Sequence, residues 1–164
     1  MDDPYYGHLK DHFEANAALE FRGWRPQCPF SLSLLAQGEY NRNYLLSQNQ
    51  NRWVVRVNTG TQISRDDQIE YEFKALRLIE HSGVTPRPYL CDDSRQVIPQ
   101  GFLIMEFLPG GVFDYRTDVD DAAQLFAKLH SLEINAHENH LIREEKPLTQ
   151  VFEECQGLLQ VYFQ

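Results

Sequence analysis

The chain has 164 residues, a length that suits one domain and can bury a real core. Hydrophobic residues make up 42% and charged residues 24%, which excludes a disordered chain, and a net charge of −9 with acids and bases interspersed leaves no basic stripe for nucleic acid. Cys28, Cys91 and Cys155 are too few and too far apart for a disulfide framework or a zinc site and point to the cytoplasm; the first residues lack signal-peptide character, and no apolar run approaches the roughly 20 residues that span a bilayer.

In chain order, Tyr6, Leu9, Phe13, Ala17 and Leu19 fall at mostly helical spacing and predict a helix over residues 4–20, closed near Gly23. The segment Arg25-Pro26-Gln27-Cys28-Pro29 then interrupts regular structure, because each proline lacks a donor and restrains the residue before it. Residues 31–35 and 44–47 are short strand-like runs, and the polar stretch 38–43 between them makes a hairpin. After the turn-forming Gln48-Asn49-Gln50-Asn51, the run Trp53-Val54-Val55-Arg56-Val57 has the β-branched and aromatic character of a strand.

Ile69, Phe73, Leu76 and Ile79 predict a helix over 65–81, with Ser64 or Asp66 as its cap and Gly83 as its stop. Tyr89-Leu90-Cys91 reads as a brief strand followed by a turn at Asp92-Asp93-Ser94. Residues 101–108 form a buried strand that ends at the breaker Pro109-Gly110-Gly111. Beyond it the pattern turns helical: Ala122, Leu125, Phe126 and Leu129 share one face of a helix over 119–132, with Asp118 as its cap. A last apolar stripe, Leu148, Val151, Phe152, Cys155, Leu158, Leu159 and Tyr162, meets no stop signal before Gln164, so the chain is expected to be cut inside a helix.

Side chains alternate along a strand, so Val54 and Arg56 share one face and Trp53, Val55 and Val57 the other. The first pair is expected to line a cleft and the second set to pack on the helix. A hairpin glycine, Gly38, lets backbone N–H groups approach an anion without side-chain obstruction. A cation on the third strand, an acid in the following helix and Met105-Glu106-Phe107-Leu108-Pro109-Gly110 after the last strand complete an ordered set.

At these residues the sequence resembles the aminoglycoside phosphotransferase and choline kinase family, whose fold is that of protein kinases. The similarity runs from about residue 35 to 132, where Ala127-Lys128-Leu129-His130-Ser131-Leu132 looks like that family's Ala-x-Leu-His-x-Leu helix. The resemblance implies an α+β fold: an N-lobe whose antiparallel sheet of about five strands carries a packed helix, followed by helices of a truncated C-lobe. It divides the chain into an N-terminal helix and loop (1–30), a nucleotide-binding lobe with its hinge (31–110) and the first helices of an incomplete C-lobe (111–164).

By the same resemblance Gly38, Asn41 and Asn43 belong to the phosphate-facing hairpin, Val54 touches the adenine, and Arg56 contacts the α/β-phosphates, where its forked guanidinium stands in for lysine. Glu72, with Glu70 as the alternative, anchors Arg56. Met105 lies behind the adenine, and the Glu106 carbonyl and Leu108 N–H bond its edge.

The family's catalytic loop, His-x-Asp-x-x-x-x-Asn, has no match here: His130-Ser131-Leu132, His137-Glu138-Asn139 and His140-Leu141-Ile142 all fail it, and Asp114, Asp118, Asp120 and Asp121 precede the helix that should lead into it. No His-Glu-x-x-His pattern suggests a metal site. The expectation is therefore the nucleotide-binding part of an ATP-dependent (or GTP-dependent) small-molecule kinase, with Mg²⁺ and the acceptor handled only by the complete enzyme and no turnover by this chain alone. The alternative is a non-catalytic kinase-like module that docks a partner, or a second copy of itself, through its C-terminal helices.

Overall fold

The computed structural model describes residues 3–60, 65–135, 139–143 and 145–162. Ser64, His137, Glu138, Phe163 and Gln164, and the side chains of Leu158 and Tyr162, lie outside the described residues.

Five strands form one antiparallel sheet in the order β1-β2-β3-β5-β4: β1 Ser31–Gln37, β2 Asn41–Gln48, β3 Asn51–Asn58, β4 Pro88–Asp92 and β5 Phe102–Glu106. The first three make a meander. The β1–β2 turn is shorter than its polar sequence suggests. Asn41, Arg42 and Asn43 are already in β2, because every one of them has a β3 partner: Asn41 faces Asn58, Arg42 faces Val57 and Asn43 faces Arg56. The edge strand β1 carries an irregularity between Leu34 and Ala36, where its register against β2 slips. Asn49, at φ 55, supplies the left-handed residue of the two-residue β2–β3 turn, a conformation asparagine tolerates better than most.

Gly101 marks the entry to β5. Its φ is +69, and a Cβ there would sit 2.8 Å from the Asp92 carbonyl oxygen, so only glycine fits where β4 and β5 approach.

Helix α1, Tyr6–Ala15, stops earlier than the apolar spacing suggests, because the Asn16 side chain turns back to accept from the Ala18 N–H (3.1 Å) and draws the chain out of the helix. Leu19 is nonetheless buried, through the loop that follows. Helix α2, Gln68–Ile79, starts after Asp67, whose carboxylate is taken by Arg65 (2.7 and 2.6 Å) and makes no cap bond. Asp66 is therefore not the cap. Gly83, left-handed at φ 69, closes the short 3₁₀ turn that continues α2, as its sequence position suggests. Helices α3, Val119–His130, and α4, Pro147–Tyr162, follow the Pro-Gly-Gly breaker. Asp118 does precede α3, yet its carboxylate accepts from the Asp114 N–H (2.8 Å) and the Thr117 hydroxyl (2.7 Å) instead of capping the helix.

Both faces of the sheet are covered, and the covering differs from the sequence expectation. Trp53, Val55 and Val57 do not pack on α2. Together with Tyr44, Leu46, Phe102 and Ile104 they meet the N-terminal segment, which contributes Leu9, Phe13, Leu19 and Trp24. Aromatic rings dominate this layer: Phe21 stacks on Trp24 at 5.4 Å, and Trp53 meets Phe21 edge-on at 5.2 Å. The Trp53 indole N–H is satisfied by the Arg22 carbonyl (3.2 Å), and the buried Tyr44 hydroxyl donates to Asp3 (2.8 Å), which also pairs with Arg42 at 3.1 Å. Helix α2 lies on the opposite face, where Ile69 and Leu76 join Val54, Leu103 and Met105. The more aromatic face takes the aromatic-rich segment; the other takes the helix.

Candidate functional site

The face under α2 collects most of the residues singled out from sequence. Strand register sets Asn43, Arg56 and Leu103 in one row across β2, β3 and β5, and Leu45, Val54 and Met105 in the next. Because the period of a strand is two, Asn41 and Asn58 close the same face at its end.

Arg56 reaches across to α2, where its Nη1 stands 3.5 Å from Oε2 of Glu72, with both side chains largely shielded from water. Glu70 turns outward instead and pairs with Lys74 at 2.8 Å, one helical turn on. Glu72 thus faces the cleft and Glu70 does not. The remaining oxygen of Glu72, Oε1, accepts from Asn58 Nδ2 (3.3 Å) and Gln68 Nε2 (3.3 Å). Arg56 Nε and Glu72 Oε2 are buried and make no hydrogen bond among the described residues. The guanidinium is held by charge at 3.5 Å, without a hydrogen bond of its own among the described residues.

Next to this pair lies a cleft of about 300 Å³ whose walls include Arg56, Glu72, Leu76, Pro86 and Met105. Met105, 8% exposed, lines it, and behind Met105 the buried Val54 and Leu103 belong to the same apolar cluster. Burial pushes the thiol of Cys91, on the neighbouring strand and packed against that cluster, up to about 12, with the carboxylates of Asp93, Glu70 and Asp92 adding to it, so it carries no thiolate at neutral pH.

Past Met105, Glu106 ends β5. Its N–H donates to the Arg87 carbonyl (2.8 Å), and its carboxylate accepts from the Arg87 N–H (3.2 Å). Arg52 stacks over the Phe107 ring at 4.5 Å, and Leu108 is exposed just beyond. At the other end, the Gly38 N–H donates to the Asn41 carbonyl (2.9 Å), and Asn43 Nδ2 donates to Asn41 Oδ1 (2.9 Å). Gly38 is not among the glycines with positive φ, and a Cβ added to it would meet nothing closer than 3.6 Å. Backbone strain therefore gives no reason for glycine here. A Cβ there would meet the Asn41 side chain at ordinary contact distance.

The family model for the phosphotransferase enzymes (APH) matches residues 31–164. The chain belongs to that family. Residues 1–30, whose described part contributes to the aromatic layer behind the sheet, lie outside the match. This phosphotransferase chain is also similar to the solved structure of a Ralstonia eutropha protein provisionally described as an aminoglycoside phosphotransferase, at 23% identity and a TM-score of 0.50. That match covers 64% of this chain and 29% of the other, so the chain spans under a third of the solved protein's length. The likeness is one of fold, and the fold is the kinase-like α+β arrangement of a five-stranded antiparallel sheet with helices. No curated protein matches the chain. No helix among the described residues is long and apolar enough to cross a membrane.

Two site residues escaped the sequence reading. Asn58 was legible in principle, two positions beyond Arg56 on the same strand face, and Gln68 stands one helical turn before Glu72. Neither amide carries charge, so neither drew notice beside the ion pair.

Proposed function

We propose that residues 31–110 are the nucleotide-binding lobe of an ATP-dependent phosphotransferase that phosphorylates a hydroxyl of a small molecule, with 1–30 as an N-terminal cover and 111–164 as the first helices of the C-lobe. The observation that carries this reading is the Arg56–Glu72 pair at 3.5 Å on the cleft face, within a chain of the phosphotransferase family. A strand cation held by a helix carboxylate suits the α/β-phosphates of a nucleotide. Gly38, Asn41 and Asn43 would face the phosphates from the hairpin. Val54 and Met105 would flank the base, whose edge would meet the Glu106 carbonyl and the Leu108 N–H. ATP, or GTP, with Mg²⁺ supplies the transferable phosphoryl group in the complete enzyme. A guanidinium at Arg56 that makes no hydrogen bond among the described residues suits such a polyanion. Three free cysteines, two of them partly shielded, suit a cytoplasmic setting.

Calorimetric titration with ATP and Mg²⁺ tests the assignment. Arg56→Ala should weaken binding roughly tenfold or more, as expected for loss of a charged phosphate contact; unchanged affinity would refute it. The same chain should phosphorylate no aminoglycoside, choline or sugar, because it contains no His-x-Asp-x-x-x-x-Asn. Turnover abolished by replacing a residue of this chain would overturn that expectation.

A second reading, a non-catalytic module that associates through its C-terminal helices, draws on a separate observation. Leu125, Phe126, Val151, Phe152 and Leu159 are all exposed. An apolar surface of this kind favours a second copy of the chain, since a two-fold dimer is the commonest way of covering one.

A further inference from the structure

The Glu72 carboxylate has an asymmetric environment. Oε2 looks at the Arg56 guanidinium without a hydrogen bond, while Oε1 is gripped by two amides, Asn58 and Gln68. Both amide side chains belong to residues 5% exposed, an unusual depth for such groups.

Asn58 has the more telling geometry. Its Nδ2 points to Glu72, and this leaves its own Oδ1 buried with no partner among the described residues. A buried acceptor left unmatched is unfavourable, and rotating the amide would only set oxygen against carboxylate. The side chain is thus fixed in the one orientation that serves Glu72. Its backbone position is fixed as well: Asn58 pairs with Asn41 across the β2–β3 ladder, and the next residue, Thr59, donates its N–H to the Tyr40 carbonyl in the glycine turn (2.8 Å).

We propose that Asn58 is the positioning residue of this site: it sets the Glu72 carboxylate, through it the Arg56 guanidinium, and ties both to the β1–β2 turn. The inference rests on the nucleotide-lobe reading and deepens it. Arg56 stands 3.5 Å from Glu72 without hydrogen-bonding to it, and charge alone tolerates many rotamers of either side chain. The hydrogen bond from Asn58 removes that freedom on the glutamate side before any nucleotide arrives, and leaves the arginine fork aimed into the cleft.

ATP titration of the 164-residue chain, in parallel with Asn58→Ala, Glu72→Gln and the double variant, separates positioning from mere stability. Asn58→Ala should lower ATP affinity roughly tenfold in the wild-type background and by less than about twofold when Glu72 is already Gln. Losses of equal size in both backgrounds, or no loss in either, would overturn the proposal. Should Asn58→Ala fail to fold, Asn58→Asp keeps the shape and sets a like charge against Glu72; it should lose more affinity than Glu72→Gln, and equal or smaller loss counts against Asn58. The ¹⁵N-correlated signal of the Arg56 Nε–H gives a readout without nucleotide. It should move toward the free-arginine position in Asn58→Ala, and an unmoved signal refutes the positioning role. If wild-type protein takes up no ATP while that signal moves, the nucleotide reading fails and the positioning of the pair stands.

Discussion

The sheet region and the two C-terminal helices are built from similar apolar sequence with opposite outcomes. In the first, Tyr44, Leu46, Val55, Phe102 and Ile104 are fully buried, because a sheet with a cover on each face encloses both sets of alternating side chains. In the second, α3 has no buried residue, and Phe126, Val151 and Phe152 stand about as open as surface groups. An amphipathic stripe states that a helix has a face to hide but not what hides it. Stability in this chain is therefore concentrated between residues 3 and 107, and the helices beyond it carry surface that calls for a neighbour.

The sharpest way to break this contrast is truncation of one phenylalanine in each region. Phe102→Ala, in the aromatic layer, should cost about 3–5 kcal/mol in urea unfolding. Phe126→Ala, on exposed α3, should stay within about 0.5 kcal/mol. Similar losses would show that the helices are part of the same cooperative core. At the next level of effect, Phe152→Asp with Leu159→Asp should convert any concentration-dependent oligomer to a monomer in light scattering and leave the unfolding midpoint nearly unchanged. A mass that is monomeric throughout the concentration series already in the wild type would remove α4 as an interface.

A smaller effect separates the two faces of the sheet by pH. His12 packs edge-on against Phe102 at 5.6 Å, and burial lowers its pKa despite the opposing charge of Asp92. The unfolded chain therefore takes up this proton first as pH falls. The stability His12 contributes is complete above the ordinary histidine value of about 6.5 and is lost as pH drops below it toward the lowered folded value. Melting temperature should rise between about pH 5 and 7, and His12→Phe should flatten that slope; an unchanged slope would assign it to other groups. The smallest perturbation is chemical. At pH 8 Cys155, exposed on α4, should react quickly with a thiol reagent, while Cys91, whose thiol stays protonated under α2, should react only on unfolding. Equal labelling rates in the native protein would mean that the α2 face opens readily.

Much of the architecture could be read from residues alone, because it depends on local periodicity. The alternation of Trp53, Val54, Val55, Arg56 and Val57 separates the two sheet faces, while the family resemblance, not periodicity, favours Glu72 over Glu70 as the partner of Arg56, and Glu72 is the acid that pairs with it. The failures have physical causes of their own. Asn41-Arg42-Asn43 looks like loop because its side chains are polar, yet β3 supplies partners for all three backbones. The side of the sheet that α2 covers was misread because both sides are apolar: Val54, Leu103 and Met105 on one, Val55 and Ile104 on the other. Deciding between them needs the destination of the N-terminal aromatics, a non-local matter. Asp67 and Asp118 show that a capping residue type at a helix start fails to cap when a nearby arginine, hydroxyl or backbone N–H claims its oxygen first.

The irregularity in β1 bears on how this protein behaves in a crowded solution. As an edge strand, β1 has one side of its backbone unpaired, and Leu34 and Leu35 are about half exposed along it. A flat ribbon of that composition would template the strand of another molecule. The register slip between Leu34 and Ala36 twists the edge at its most apolar point, so the backbone groups of a visiting strand cannot align beyond a few residues. The sheet thus ends in a strand poorly suited to growth, which guards against fibrous aggregation without a single charged side chain in Ser31–Gln37.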